Sequence, residues 1–230
     1  MPVWTGLFRH PHWQHSSTTN RLHQFSLARI DPPLAVLHCA VVPAWRILRA
    51  LSRGVFPHEL AAFLELAPRR LLLSPRQLVR RTEITSHQRV LEIGAGSGFY
   101  SAEMVRATRH LVMLDLQPEM LRKARSRHPQ LQSVPCIAAD ASCLPFADHS
   151  FDTIVMVTVF GEVKRTDALL RETYRLLRSD GTLSISEHLP DPDFTRASPL
   201  RNLVEPHGFR LESRVGPPWS YTANFRKHEA

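Results

Sequence analysis

The chain has 230 residues, 43% of them hydrophobic and 22% charged, which is typical of one globular domain with an appendage and argues against two full domains. The three cysteines are an odd number without C-x-x-C spacing, so the sequence indicates neither a disulfide framework nor a zinc site. No stretch approaches the roughly 18 to 20 apolar residues of a membrane span, and the N-terminal region lacks the apolar core of a signal peptide. We therefore expect a cytoplasmic protein with no metal site.

The positive charge of the chain is concentrated near its N-terminus. Residues 1–81 hold eleven arginines and three acidic residues, and this excess equals the whole net charge of +8. A strongly basic segment attached to an electrically balanced body is typical of a segment that faces a partner. We expect residues 1–33 to form an irregular basic arm and residues 34–84 to form a helical extension that acts as a lid over a substrate.

Strand-like and helix-like segments alternate from residue 85 to residue 230. Continuous apolar strands that alternate with amphipathic helices indicate a parallel sheet covered by helices on both faces. Near the C-terminus two strands flank the turn GPPWS, and this hairpin predicts that the last strand runs antiparallel to the others. The predicted strands are 89–94, 110–115, 134–140, 151–160, 182–188 (after a turn at 179–181), 209–215 and 221–227, with helices at 99–107, 118–127, 166–179 and from 198 to about 208.

The stretch VLEIGAGSGFYS at 90–101 joins the first of these strands to a helix through a glycine loop. Such a loop turns backbone N–H groups and a helix N-terminus toward a bound ligand. The dinucleotide fingerprint G-x-G-x-x-G requires a third glycine where this chain has Phe99, so a dinucleotide fits poorly. Gly94 and Gly96 would let the backbone approach a ligand closely, and Glu92 is suited to hold a positively charged amino group of that ligand, directly or through water.

Acidic residues at the ends of the second and third predicted strands indicate an adenosine-bearing ligand. Asp115 ends the second strand, where a carboxylate accepts hydrogen bonds from both hydroxyl groups of a ribose. Asp140 ends the third strand, where it can accept a hydrogen bond from the adenine amino group while the backbone of Ala141 faces a ring nitrogen. The apolar side chains of Leu116 and Leu144 would enclose the ring. Each acid alone has a structural explanation, but the set is specific.

Taken in order, the motifs EIGAGSG, LD at 114–115, AAD at 138–140, LPFADHSFD and LLRSDGTLSISE resemble those of the class I S-adenosylmethionine-dependent methyltransferases. The LPF and SFD segments look most like the branch that contains ubiquinone/menaquinone C-methyltransferases and other small-molecule methyltransferases. The resemblance covers about residues 85–230, and it implies a Rossmann-like α/β fold with a seven-stranded, mostly parallel sheet and an antiparallel last strand. It implies S-adenosyl-L-methionine as cofactor, bound by Glu92, Gly94, Ala95, Gly96, Gly98, Asp115, Leu116, Asp140 and Ala141.

A methyltransferase of this kind acts on its acceptor by in-line displacement, so the protein contributes alignment, exclusion of water and, for a weakly acidic acceptor, a base. The expected acceptor is a small, lipophilic molecule. Arg46, Arg49 and Arg53 share one face of a predicted helix, which suits an anionic membrane surface, although a solvated arginine face over a packed helix gives the same pattern. The candidate bases near strand ends are Glu162, Glu187 and His188, with Tyr221 and His58 as outside candidates.

Two other functions fit parts of the sequence. A nucleic-acid methyltransferase would use the basic N-terminal segment as a phosphate-binding arm. This class is disfavoured, because the fourth strand is followed by VTVFGEV and not by the N/D-P-P-Y/F tetrapeptide of the amino methyltransferases of DNA. A protein that binds S-adenosylmethionine without catalysis is the second alternative.

Overall fold

The computed structural model describes residues 74–189 and 191–228. The predictions for the basic arm at 1–33, for the arginine-bearing helix and for His58 lie outside the described residues. The description begins with helix α1 (Pro75–Thr82), which corresponds to the last predicted helical piece of the N-terminal extension. Ser74 caps this helix, because its hydroxyl group accepts a hydrogen bond from the backbone N–H of Gln77 at 3.2 Å.

A seven-stranded sheet forms the centre of the described part of the chain, with the strand order β3-β2-β1-β4-β5-β7-β6. The first five strands are parallel, and β7 is antiparallel to both of its neighbours. The predicted Rossmann-like sheet with a reversed last strand is therefore confirmed. The strands are β1 (Arg89–Ile93), β2 (His110–Asp115), β3 (Cys136–Ala138), β4 (Phe151–Val157), β5 (Leu177–His188), β6 (Phe209–Val215) and β7 (Ser220–Lys227).

Helices cover both faces of the sheet, and the sheet separates two hydrophobic clusters. One cluster contains Ile154 and Ile185 of the sheet and packs against Leu169, while the other contains Val155 and packs against Met104. All seven residues of β4 are buried, as expected for a central parallel strand covered on both faces. The helices that follow α1 are α2 (Ser101–Ala107), α3 (Pro118–Arg127), α4 (Thr166–Leu176) and α5 (Ala197–Val204), with 3₁₀ turns at Pro129–Leu131, Phe160–Glu162 and Glu205–His207.

Several element boundaries differ from the prediction, most clearly those of β3, β4 and β5. Strand β3 is shorter than expected, and β4 ends at Val157, because the next residues form a 3₁₀ turn. The turn predicted at 179–181 lies within β5, where Asp180 has a φ of 59°. At this point the pairing with β4 shifts register, so the expected turn residues form a bulge in a continuous strand.

None of the helices within 74–189 and 191–228 combines the length and apolarity required to cross a membrane.

Candidate functional site

A cavity of about 510 Å³ lies at the edge of the sheet where the parallel strands β1 to β4 end, which is where ligands of such sheets bind. Its volume falls within the range of small-molecule sites, roughly 300 to 1,000 Å³. Seven of the nine predicted cofactor-binding residues line it: Gly94, Ala95, Gly96, Asp115, Leu116, Asp140 and Ala141. Residues that the sequence placed far apart are therefore brought together around one space.

The glycine loop after β1 supports the cavity with closely packed backbone. Gly94 has a φ of 75°, and a Cβ atom there would lie 2.3 Å from a methyl group of Val159, so the ends of β1 and β4 touch at this point. Gly96 has a φ of 55° and no atom within 4 Å of the position of a Cβ, so it borders open space. The N–H groups of Gly94 and Ala95 donate to the carbonyl oxygen of Leu114. Because these two N–H groups already donate within the protein, the loop offers a ligand close backbone contact and not these two donors.

Asp115 is held rigidly beside the glycine loop. Its Oδ2 accepts a hydrogen bond from the N–H of Gly96 at 2.8 Å, and its Oδ1 accepts one from the N–H of Gln117 at 2.9 Å. Burial raises the pKa of this carboxyl above its ordinary value, while the hydrogen bonds from these N–H groups oppose the rise. The carboxylate therefore has a fixed orientation at the end of β2, and further lone pairs remain for hydroxyl donors.

Asp140 also lines the cavity, two residues after the end of β3. Its Oδ1 accepts hydrogen bonds from the N–H and hydroxyl groups of Ser142 at 2.9 and 2.7 Å, and its Oδ2 pairs with Arg165 at 2.7 Å. Burial alone would raise the pKa of this carboxyl, but the hydrogen bonds from Ser142 and Arg165 hold the pKa below its ordinary value. Asp140 is therefore ionised and faces the cavity in company with an arginine.

Apolar residues line the same cavity as these two acids. Leu116 is 54% exposed, an unusual value for a large apolar residue, and it borders the cavity together with Met120. Leu144, which was expected to enclose the adenine ring with Leu116, is buried within the larger hydrophobic cluster and does not line the cavity. Ala141 forms part of the same wall as Asp140. The cavity therefore presents both carboxyl groups and apolar surface to a ligand.

Two predicted cofactor-binding residues, Glu92 and Gly98, do not line the cavity. Glu92 is buried and accepts a hydrogen bond from the hydroxyl group of Ser101 at 2.5 Å, and burial raises its pKa to about 8. A Cβ atom at Gly98 would lie 2.7 Å from Leu131 and 2.9 Å from Ala124, so this glycine permits close packing of α3 and the following turn against the loop. The proposed contact of Glu92 with an amino group stays a prediction.

The four candidate bases occupy different environments. Glu162 lines the cavity, whereas Glu187, His188 and Tyr221 are buried outside its lining. Glu187 accepts a hydrogen bond from the N–H of Thr195, and burial, with further contributions from nearby carboxyl groups, raises its pKa well above the ordinary value. Tyr221 donates to the carbonyl oxygen of Thr195 at 2.5 Å, and burial raises its pKa.

Buried aromatic and histidine side chains meet near one end of the cavity. Nε2 of His188 lies 3.4 Å from the hydroxyl oxygen of Tyr100, and Tyr100 lines the cavity. Thr158, at the end of β4, also lines the cavity and has a φ of 54°, a conformation that a β-branched residue adopts only when its surroundings enforce it. Sequence reasoning did not single out Thr158, Arg165 or Asp191, because loop residues acquire such positions only through the fold.

Helix α4 holds the segment that follows Asp140 and Ala141, through contacts with Leu144 and Phe146. The guanidinium group of Arg175 donates to the carbonyl oxygens of Phe146 at 2.8 Å and Leu144 at 3.2 Å. Glu172 accepts the N–H of Leu144 at 2.7 Å and pairs with Arg175 at 2.6 Å. Hydrogen bonding to Glu172 raises the pKa of Arg175, so the charge that holds this segment is permanent.

Comparisons with known proteins agree with this geometry. A family profile described as "Methyltransferase domain" matches residues 91–185. The chain is 32% identical over 112 residues to a demethylmenaquinone methyltransferase of Streptomyces avermitilis. The aligned region covers 49% of this chain and 47% of that protein. It is 37% identical over 100 residues to a malonyl-[acyl-carrier protein] O-methyltransferase of Methylococcus capsulatus, which covers 43% of this chain and 36% of that protein. The chain thus spans about half, or less, of the length of these curated relatives.

Solved structures show the same fold at low sequence identity. A SAM-dependent methyltransferase from Aquifex aeolicus superposes with a TM-score of 0.68 at 19% identity and covers 75% of this chain and 100% of that chain. The N-methyltransferase NodS from Bradyrhizobium japonicum, solved in complex with S-adenosyl-L-homocysteine, superposes with a TM-score of 0.60 at 20% identity and covers 72% of this chain and 91% of that chain.

Proposed function

We propose that this chain is a class I S-adenosylmethionine-dependent methyltransferase, like the proteins it is similar to, and that it transfers the methyl group of S-adenosylmethionine to a small, lipophilic acceptor. The observation that supports this proposal best is that Asp115, at the end of β2, and Asp140, two residues after β3, line one cavity together with the glycine loop.

The residues around the cavity fit S-adenosylmethionine. Asp115, fixed by two backbone N–H groups, would receive the ribose hydroxyl groups, and the exposed apolar surface of Leu116 would cover the base. Asp140 would receive the amino group of the base. The open space beside Gly96 would accept the part of the cofactor that a side chain at this position would exclude. When bound, S-adenosylmethionine supplies a methyl group on a positively charged sulfur.

On the acceptor side, the protein would align the acceptor and exclude water. The side chains of Phe99, Tyr100 and Val159 give this end of the cavity an apolar wall, which is the basis for proposing a lipophilic acceptor. Glu162 is the candidate base that borders the same space. We infer that Glu162 contacts the acceptor and that Glu187 and Tyr221, which bind the backbone of Thr195, shape the wall behind it.

The acceptors named for the relatives supply the first compounds to test. Demethylmenaquinone is lipophilic, and a malonyl thioester is delivered on a carrier protein, so the two differ in how they would reach the cavity. We propose that the N-terminal third of the chain provides the acceptor side of the site and favours an anionic membrane surface, through its excess of arginine. This favours the quinone type of acceptor over the carrier-bound type.

The cofactor assignment is tested by calorimetric titration with S-adenosyl-L-homocysteine. Asp115→Asn keeps the shape of the side chain but removes its charge, and Asp140→Ala removes the proposed acceptor for the amino group. Each should weaken binding by about tenfold or more, since hydrogen bonds to charged groups contribute about 1.5 to 3 kcal/mol. Asp167→Ala on the exposed surface of α4 is the matched control and should bind as the unchanged protein does. Unchanged affinity in both test variants would contradict the assignment.

Methyl transfer is tested with S-adenosylmethionine labelled in the methyl group. The unchanged protein is incubated with demethylmenaquinone in anionic or neutral vesicles, and separately with malonyl-acyl carrier protein. We expect label in the quinone, with a faster rate on anionic vesicles. Label in the malonyl thioester alone would overturn the lipophilic acceptor, and binding of the cofactor without transfer to any acceptor would favour a non-catalytic binding protein.

A further inference from the structure

The proposed acceptor for the adenine amino group, Asp140, is already engaged by Arg165 within the cavity wall. Oδ2 of Asp140 lies 2.7 Å from a guanidinium nitrogen of Arg165, while Oδ1 accepts both hydrogen bonds from Ser142. Arg165 lies just before α4, and its side chain makes no capping hydrogen bond to that helix. Both Arg165 and Asp140 line the cavity.

This ion pair changes what the carboxylate offers a ligand. A carboxylate has about four lone-pair sites, and three of those on Asp140 are used by the groups described above. The remaining site is on the oxygen whose charge is shared with Arg165. A hydrogen bond to an ionised acceptor is about twice as strong as one between neutral groups, and the guanidinium charge removes part of that advantage.

We propose that Arg165 is a specificity-determining residue of this site, which competes with the amino group of the adenine base for the Asp140 carboxylate. The inference rests on the proposed binding of S-adenosylmethionine. Arg165 would set how strongly the site distinguishes a base with an amino group from a base without one. The glycine loop and the two acids do not provide this discrimination by themselves.

The exposure of the pair sets the size of the effect. The side chains of Arg165 and Asp140 are 62% and 51% exposed, so the ion pair is partly screened by water. Pairs of this kind contribute little, and removal of the competitor corresponds to a change in affinity of about two- to fivefold. A base that lacks the amino group has no part in this competition and should not be affected.

The test is a comparison of two ligands in matched variants by calorimetric titration. The ligands are S-adenosyl-L-homocysteine and S-inosyl-L-homocysteine, which replaces the amino group of the base by a carbonyl oxygen. Arg165→Gln removes the competing charge, and Lys164→Gln removes an equal charge from the neighbouring residue of the cavity lining. In Arg165→Gln we expect about two- to fivefold tighter binding of the adenosine ligand and unchanged binding of the inosine ligand. We expect Lys164→Gln to leave the ratio between the ligands unchanged.

Salt provides an independent measurement of the same competition. Raising sodium chloride screens the ion pair, so the unchanged protein should approach the Arg165→Gln variant in its affinity for the adenosine ligand. The proposal is overturned if Arg165→Gln weakens both ligands, tightens both equally or changes neither. Failure of the unchanged protein to bind S-adenosyl-L-homocysteine would instead refute the proposed function, and that result is visible before any variant is made.

Discussion

Replacing Glu92 by glutamine should make the protein more stable at alkaline pH. The carboxyl group of Glu92 is 2% exposed, and burial raises its pKa from 4.5 to about 8. The folded protein therefore holds a proton on this group over a pH range in which the unfolded chain has released it. Glutamine keeps the carbonyl oxygen that accepts the hydrogen bond from Ser101 and has no proton to lose.

The sign and size of the effect follow from the two pKa values. Because the pKa is higher in the folded state, the contribution of Glu92 to stability is fully present below about pH 4.5 and is lost as the pH rises to about 8. At 1.36 kcal/mol per pH unit, the loss is about 3 kcal/mol at pH 7 and approaches about 5 kcal/mol above pH 8. The Glu92→Gln variant lacks this loss.

The measurement is urea unfolding from pH 5 to pH 9 for the unchanged protein, for Glu92→Gln and for the control Glu119→Gln. Glu119 pairs with Arg122 on the exposed surface of α3, so its replacement should leave the slope of stability against pH close to that of the unchanged protein. We expect the curves of the unchanged protein and Glu92→Gln to meet near pH 5 and to separate as the pH rises. Parallel curves, or a variant that is less stable at every pH, would refute the reasoning.

Three further outcomes follow from the packing around the site. Gly98→Ala combines a positive φ with collision in a packed interior, and should lower the free energy of unfolding by about 2 to 4 kcal/mol in urea titration. Gly96→Ala has the same backbone strain without the collision, so it should lower the free energy of unfolding by only about 1 to 2 kcal/mol. The same variant should weaken binding of S-adenosyl-L-homocysteine about tenfold in calorimetry. Equal losses of stability in the two glycine variants would contradict this contrast. Arg175→Ala should weaken binding of the same ligand about fivefold or more, because it releases the segment with Leu144 and Phe146 that follows Asp140. The control Arg171→Ala, on the exposed side of α4, should change the free energy of unfolding by less than about 0.5 kcal/mol and leave binding unchanged. Retained affinity in Arg175→Ala would show that this segment holds its conformation without the arginine.

Much of the fold could be read from the sequence, because the strands near the site are short apolar runs with clear ends. The predicted bounds of β2 match the structure, and Asp115 follows from them, since a residue that ends a parallel strand must lie at the ligand edge. Asp140 was expected to end the third strand by the same reasoning, but β3 ends at Ala138, and Asp140 lines the cavity from the loop that follows. Local pattern was sufficient to place a residue at the cavity where that place depends on one strand.

Other features could not be predicted, because they depend on residues distant in the chain. Gly98 belongs to the same glycine series as Gly94, and only the position of Leu131 shows that it serves packing. The ion pair between Arg165 and Asp140 joins residues 25 positions apart, and no pattern in either segment predicts it. Glu92 lies next to the glycine loop in sequence, as a cofactor-binding residue would. The alternation of side chains along β1 nevertheless turns its carboxyl group toward Ser101.

The contacts of Arg175 have a consequence for the order in which this protein is made. All nine predicted cofactor-binding residues lie at or before Ala141, yet the segment that follows them, with Leu144 and Phe146, is held by Glu172 and Arg175, which come some thirty residues later. A nascent chain that has emerged only to residue 160 would contain every one of those nine residues and still lack Arg165, which pairs with Asp140, and the two residues that hold the following segment. We expect competence to bind the ligand to appear in synthesis only after α4 has docked.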